Sequence, residues 1–205
     1  MNTAPGETLE SKRAAAPSPG AIIIARHGKP DCDRSQRIDW RGYVDWWGLY
    51  ERSGLEADQP PPEALLEEAR RADTFYSSNI RRAIETAAAV AGGRPVTQDP
   101  VFAEAPLPPP RIWGRRRPRH WGVLARISWW MGGAYGEETR QEAEQRAEAA
   151  VATLTARALR GETVVLLAHG WFNRMMRPVL KRQGWVETAN HGDKYWAFRR
   201  YEKKR

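Results

Sequence analysis

Two short apolar runs, "AIIIA" at 21–25 and "TVVLLA" at 163–168, each lead into a histidine followed by a glycine: His27-Gly28, reached through Arg26, and His169-Gly170. A continuous, β-branched run without polar alternation suits a strand buried on both faces of a parallel sheet. Ligands of open α/β sheets bind beyond the carboxyl ends of such strands. Both histidines are therefore candidates for one site, although most of the chain separates them.

The intervening sequence supplies helices. "WRGYVDWWGLYERSGL" (40–55) repeats aromatics at three and four places, and "PPEALLEEARRA" (61–72) opens on prolines. "DTFYSS" reads as a second strand, followed by "NIRRAIETAAAVAGG" (79–93), with Asn79 in the cap position and two glycines to stop it. Ala143, Ala147, Ala150, Val151, Leu154 and Ala158 follow helical spacing and predict a long helix stopped by Gly161. "WFNRMMRPVLKRQG" predicts another, interrupted at Pro178, and "KYWAFRRY" a last strand. Strand and helix alternating in this way predict a three-layer α/β/α sandwich around a mostly parallel sheet. Residues 21–205 are expected to form one domain, with a Pro/Arg/Trp-rich insertion at about 106–135 in which "VLARISWWMGG" forms a short helix.

The first 20 residues are small and polar, with no apolar signal-peptide core, and predict a flexible extension. One cysteine, Cys32, excludes an intrachain disulfide framework and a multi-thiolate metal site, which with the absent leader points to the cytoplasm. The balance of 33 basic against 25 acidic side chains, a net charge of +8, favours anionic partners without identifying them.

Arginine sharpens the expectation, because its planar fork of donors matches phosphate oxygens. Arg26 adjoins His27, and Arg82 falls in the first turns after Ser77 and Ser78. Cations crowded around an imidazole depress its pKa and keep a neutral nitrogen available to attack phosphorus. Backbone amides near 79–82 and 171–174 add donors for an anion. These positions together predict a phosphate pocket with a nucleophile at its floor.

The motifs Arg26-His27-Gly28, "SSNIRRAIETA" from Ser77 to Ala87, and His169-Gly170 resemble the hallmarks of the histidine phosphatase superfamily, the phosphoglycerate mutase-like group. The resemblance runs from about Ile22 to the last strand. It implies that His27 is phosphorylated on a ring nitrogen, that Arg26, Arg82 and His169 bind the phosphoryl group, and that Glu104 in "VFAEAPLP" donates the proton. Around these, Gly28, Lys29, Ser78, Gly170 and Asn173 are candidate phosphate or substrate contacts. "RHGKP" places Lys29 where the family often has an acidic residue, and the stretch after Glu104 lacks the Gly-x-x-Glu-Gly of mutase-like members, which argues against a glycolytic mutase. "YGEET" resembles the family's Gly-Glu-Ser; capping of the following helix is favoured for it over a role in the pocket.

The expected activity is a metal-independent phosphomonoester hydrolysis on a small or medium organic phosphate, with two in-line transfers through His27, a protonated Glu104 as acid, and His169 most useful if charged. No cofactor is expected, since the cations already supply the positive charge and no zinc-type ligand spacing is present. The alternatives are a mutase, a phosphoprotein phosphatase and a low-turnover phosphate-binding protein. "RIWGRRRPRHWG" has the composition of a nucleic-acid or anionic-lipid contact, but a lid over a phosphate pocket is favoured. If the tryptophan pairs at 46–47 and 129–130 both belong to that cap, the leaving group is bulky and partly apolar.

Overall fold

A computed structural model describes residues 18–204, so the expected extension at 1–20 lies almost entirely outside the described residues. In chain order the elements are β1 (Ile22–Arg26), α1 (Trp40–Arg52), α2 (Glu63–Arg70), β2 (Thr74–Ser77), α3 (Arg81–Ala91), β3 (Val96–Gln98), a 3-10 turn (Pro100–Phe102), α4 (Pro118–Trp130), α5 (Arg140–Ala158), β4 (Val164–Ala168), α6 (Gly170–Arg182), β5 (Trp185–Asn190) and β6 (Phe198–Lys203). They build one six-stranded sheet in the order β3-β2-β4-β1-β6-β5. The first four strands in that order are parallel, whereas β6 runs antiparallel to β1 and to β5.

Alternation along the central strands explains the layers. Ile22 and Ile24 of β1, with Val164, Leu166 and Ala168 of β4, pack against the alanine stripe of α5 and against α6. Ile23, Ala25, Val165 and Leu167 face the other way, onto α2 and α3. Both faces are dry, which is why neither strand shows polar alternation. Small residues let α5 sit close: Ala143, Ala147, Ala150 and Ala158 are all fully buried.

A third apolar cluster stands outside these layers. Tyr43, Trp46 and Tyr50 of α1 pack against Trp121 and Ala125 of α4. The Trp121 indole N–H donates to the Ile38 carbonyl at 2.8 Å, and Ile38 and Arg116 exchange backbone bonds of 3.0 and 2.8 Å. This helical pair is the cap. Helix α4 is longer than the expected short segment because Pro118 occupies its first turn, where a missing N–H does no harm.

Several local expectations change. Asn79 is not the cap of α3: the N-cap is Ile80, with no side-chain bond, while the Ser78 hydroxyl accepts the Ile80 N–H at 3.3 Å. Thr139 and Glu142 form a capping box on α5, and Glu138 pairs with Arg146 at 2.7 Å, so "YGEET" does cap that helix. Strands β3 and β5 were not anticipated, and the last strand begins four residues later than "KYWAFRRY" suggests. Pro178 lies within α6 without ending it. Among the described residues, no helix is long and apolar enough to cross a membrane.

Candidate active site

Sheet register brings the two histidines together. Arg26 lies opposite Ala168, so His27 and His169 leave adjacent strands at the same level, and the His27 N–H continues the ladder to the Ala168 carbonyl at 2.9 Å. Ser77 pairs with Leu167, which carries Ser78 to the same end of β2. The imidazole centroids are 5.2 Å apart.

Arg82, at the start of α3 and with no exposed surface, ties this floor to the cap. Its Nε donates to His27 Nε2 at 3.3 Å, its Nη1 to the Tyr50 carbonyl at 3.0 Å, and its Nη2 to Glu51 at 3.0 Å and to His169 Nδ1 at 3.4 Å. Since a guanidinium only donates, each imidazole nitrogen that faces Arg82 is a lone pair. The remaining protons are then placed: His27 Nδ1–H donates to the Gly28 carbonyl at 2.7 Å, and His169 Nε2–H to the Ser78 hydroxyl at 2.7 Å.

Burial, then Arg82 and Arg26, hold His27 well below the ordinary imidazole value of 6.5. Burial and Arg82 do the same to His169, with smaller contributions from His27, Arg26 and Arg146. Both rings are neutral at pH 7. In this buried site beside Arg82, His169 is thus a neutral N–H donor. A neutral His27 with its lone pair on Nε2 is a competent nucleophile.

Arg26 donates Nη1 to the Asp193 carbonyl at 2.9 Å, and its guanidinium lies 4.2 Å from the centre of the Tyr195 ring. Tyr195 in turn lies 5.6 Å from the His27 ring, and Arg34 is 5.3 Å from Tyr195 and 5.2 Å from Tyr50. A side chain at Gly170 would come within 3.0 Å of Arg26 Nε, so the glycine is what lets Arg26 cross the start of α6. Arg26 Nε, the Tyr195 hydroxyl and the Trp171 indole nitrogen are buried without a protein partner. Buried donors of this kind are what an anion satisfies.

Glu104 reaches α6 from the loop after the 3-10 turn. Its Oε1 accepts the Phe172 N–H at 2.8 Å and the Ala105 N–H at 3.1 Å, and its Oε2 accepts the Trp171 N–H at 3.1 Å. The carboxylate therefore completes the otherwise unsatisfied N-terminus of α6, which His169 does not cap with its side chain. Oε2, with a single N–H bond, is the oxygen left with a lone pair for a proton.

Other candidates are placed elsewhere. Lys29 is exposed and pairs with Glu56 at 2.5 Å. The Gly28 N–H is committed to the Thr86 hydroxyl at 2.9 Å, and a Cβ there would strike the Trp196 indole at 2.4 Å, so close packing accounts for this glycine. Asn173 is buried and donates to the Ala25 carbonyl at 3.0 Å, fastening α6 to β1. His120 contacts Arg119, and His191 stacks on Phe198. Among the described residues no group of three or more His, Cys, Asp or Glu side chains is placed to hold a metal ion.

A cavity of about 490 Å³ opens above Arg26 and Gly170, with Glu104 in its wall and the cap helices α1 and α4 around it. Trp46, which is at the same time packed in the cluster between α1 and α4, and Trp47 both line it. Trp129 does not: it is fully buried, its indole N–H donating to the Glu138 carbonyl at 2.8 Å, and Trp130 lines a neighbouring cavity. Of the Arg-rich stretch at 111–122, Pro118, Arg119 and Gly122 line this cavity, whereas Trp113 is 95% exposed.

Sequence reasoning missed Arg34, Tyr50, Glu51, Asp193 and Tyr195. Arg34 and Asp193 sit in loops, where no period marks a side chain's direction. Tyr195 carried a faint signal in the "YW" pair; the next residue, Trp196, is held at φ +64, a strained value for a bulky side chain, and its N–H bonds to the His27 carbonyl at 3.3 Å.

A family model described as the histidine phosphatase superfamily (branch 1) matches residues 22–189. None of the curated proteins compared with the chain matches it. Among solved structures, a mycobacterial glucosyl-3-phosphoglycerate phosphatase in complex with VO3 is 23% identical with a TM-score of 0.53, covering 80% of this chain and 82% of that one. A mycobacterial hydrolase is 21% identical with a TM-score of 0.54 over 80% and 79% of the two chains. A mutant phosphoserine phosphatase from Entamoeba histolytica, in complex with phosphoserine, is 17% identical with a TM-score of 0.50 over 78% of each. These structures share the fold, and the family match runs from β1 into β5: the chain belongs to the histidine phosphatase superfamily, branch 1, and is of the phosphatase class.

Proposed function

We propose that the chain hydrolyses a small or medium organic phosphomonoester through a phosphohistidine on His27. The observation that carries this reading is the double engagement of Arg82, which turns a lone pair of each imidazole toward one guanidinium at the ends of β1 and β4. An arriving phosphoryl group takes over those Arg82 donors. It also meets Arg26, Arg34 and the His169–Ser78 pair, which stabilise the charge on its equatorial oxygens in the transition state.

In the first transfer the His27 Nε2–phosphorus bond forms as the phosphorus–oxygen bond to the leaving alcohol breaks, and Glu104 gives its proton to that oxygen. In the second, water attacks phosphorus, the nitrogen–phosphorus bond breaks, and Glu104 recovers a proton from the water. The acid role requires a proton on Oε2 in the substrate complex, beside the cap contacts Glu104 makes to α6. Fold relatives described as phosphatases of phosphoserine and of glucosyl-3-phosphoglycerate lend weight to a small organic phosphate as substrate.

The test is release of inorganic phosphate from a panel of esters without added metal, beside the His27→Ala protein. Turnover of one or more members that disappears in the variant is the expected result. Near-normal rates in the variant would sink the mechanism.

A further inference from the structure

The cavity over Arg26 and Gly170 has two kinds of lining. Near Arg26 and Gly170 it is charged, with Glu104 and Asp193 in its wall. From the cap, α1 contributes Tyr43, Trp46 and Trp47, and α4 contributes Val123 and Ile127 beside Arg119 and Arg126. Tyr43 and Trp46 stack on each other with ring centroids 5.7 Å apart and are almost fully buried, so the ring of α1 that stays half-buried at this wall is Trp47. Val123 and Ile127 are 59% and 51% exposed although they line this concave surface. Apolar groups left open at the mouth of a pocket mark a place where a ligand completes the packing.

What the lining lacks is equally informative. Among the described residues no serine, threonine, asparagine or glutamine lines this cavity. A polyol leaving group needs several neutral groups that both donate and accept, each buried hydroxyl without a partner being penalised, and of the lining only the Tyr43 and Tyr50 hydroxyls do both. Arginines cannot accept, and the two carboxylates are already engaged: Glu104 by backbone amides, and Asp193 by Arg174 at 2.9 Å and by Arg177. The volume of about 490 Å³ also lies within the roughly 300–1,000 Å³ that suits drug-sized ligands.

We propose that the leaving group of the substrate is an aromatic ring system, lodged between the Tyr43–Trp46–Trp47 wall of α1 and the Val123–Ile127 edge of α4. This inference rests on the phosphatase reading and adds to it the chemical class of the alcohol released. Ring stacking on the tryptophans and burial of Val123 and Ile127 supply binding energy remote from phosphorus, which improves kcat/KM for the ester that carries the ring.

The experiment compares 2-(2-naphthyl)ethyl phosphate with ethyl phosphate. Both release a primary alkoxide, so the difference reports the ring and not leaving-group acidity. The expected kcat/KM ratio is about tenfold or more in favour of the naphthyl ester. Trp47→Ala should bring that ratio toward one, while Trp47→Phe, which keeps a smaller ring, should retain a good part of it. A wild-type ratio of one or less overturns the inference, as does a preference that survives Trp47→Ala undiminished. If ethyl phosphate is turned over in a His27-dependent manner and no preference appears, the aromatic leaving group falls and the phosphatase stands; if neither ester is turned over, the aromatic leaving group falls and the phosphatase reading is decided by the His27-dependent ester panel.

Discussion

The floor of the site and its cap are made differently. The floor is fixed by hydrogen-bonded register: once β1 and β4 pair with Arg26 opposite Ala168, His27 and His169 have nowhere else to be. The cap is fixed by side-chain packing between helices some eighty residues apart, Tyr43, Trp46 and Tyr50 against Trp121 and Ala125. Register is discrete, whereas aromatic packing tolerates graded change. On the proposed mechanism the chemistry resides in the rigid part, and the choice of leaving group in the part that can be altered without moving His27. Arg82 joins them, bonded to both histidines on one side and to Tyr50 and Glu51 of α1 on the other.

The sharpest separation comes from His27→Ala, which removes the nucleophile and should lower turnover by on the order of 10⁴-fold or more, with far-ultraviolet circular dichroism unchanged. Next in size is Trp121→Ala. This fully buried ring anchors the cap, and its loss should cost about 3–5 kcal/mol of local stability. Hydrogen exchange should show protection lost in α1 and α4 and kept in β1 and β4; equal loss in the strands would mean that floor and cap are one unit.

Arg82→Ala should lower kcat by about 10²–10³, the usual effect of deleting one donor from a charge-stabilising site. Arg82→Lys keeps the charge but cannot span His27, His169 and α1 together, so it should recover only part of the loss. Glu104→Gln should reduce turnover of alkyl esters about a hundredfold and that of p-nitrophenyl phosphate far less, because a good leaving group needs little help from an acid. Equal losses on both would remove Glu104 from that role and leave it as the cap of α6.

The smallest effect is on pH. Because burial and Arg82 hold His27 and His169 below 6.5 in the folded protein, the unfolded chain binds more protons as pH falls beneath that value. Their neutral state thus favours folding above about 6.5, and this contribution is lost progressively as pH drops toward the folded values, by up to about 1.4 kcal/mol per pH unit for each ring. Urea titrations between pH 7.5 and 5 should show this slope; His169→Gln should flatten it, and an unchanged slope would mean that His169 does not titrate as its surroundings dictate.

How much of this was legible in the sequence follows the same division. The apolar runs into His27 and His169, the Ser78-to-Arg82 turn and the alanine stripe of α5 are local patterns, and they marked the strand ends and layers correctly. Glu104 was found through the family resemblance, but its bonds to the α6 amides were not foreseeable, since they join residues 67 and 68 positions apart. Asn79 was misread as a cap because the serine before it takes the Ile80 N–H. Strand β3 is three residues long and largely exposed, and β5 is an edge strand stabilised by β6, so neither carries a strong period of its own. Tyr195 reaches the His27 ring, and Arg34 reaches Tyr195, from loops, where only the folded chain reveals direction.

The most direct test of the central claim is to trap the phosphoenzyme. Mixing the protein with a turned-over ester labelled with ³²P and quenching within milliseconds should give an acid-labile, base-stable label that maps to the peptide containing His27 and is absent from His27→Ala. Turnover of the same ester with no label on the protein, or with label on another residue, would contradict the account.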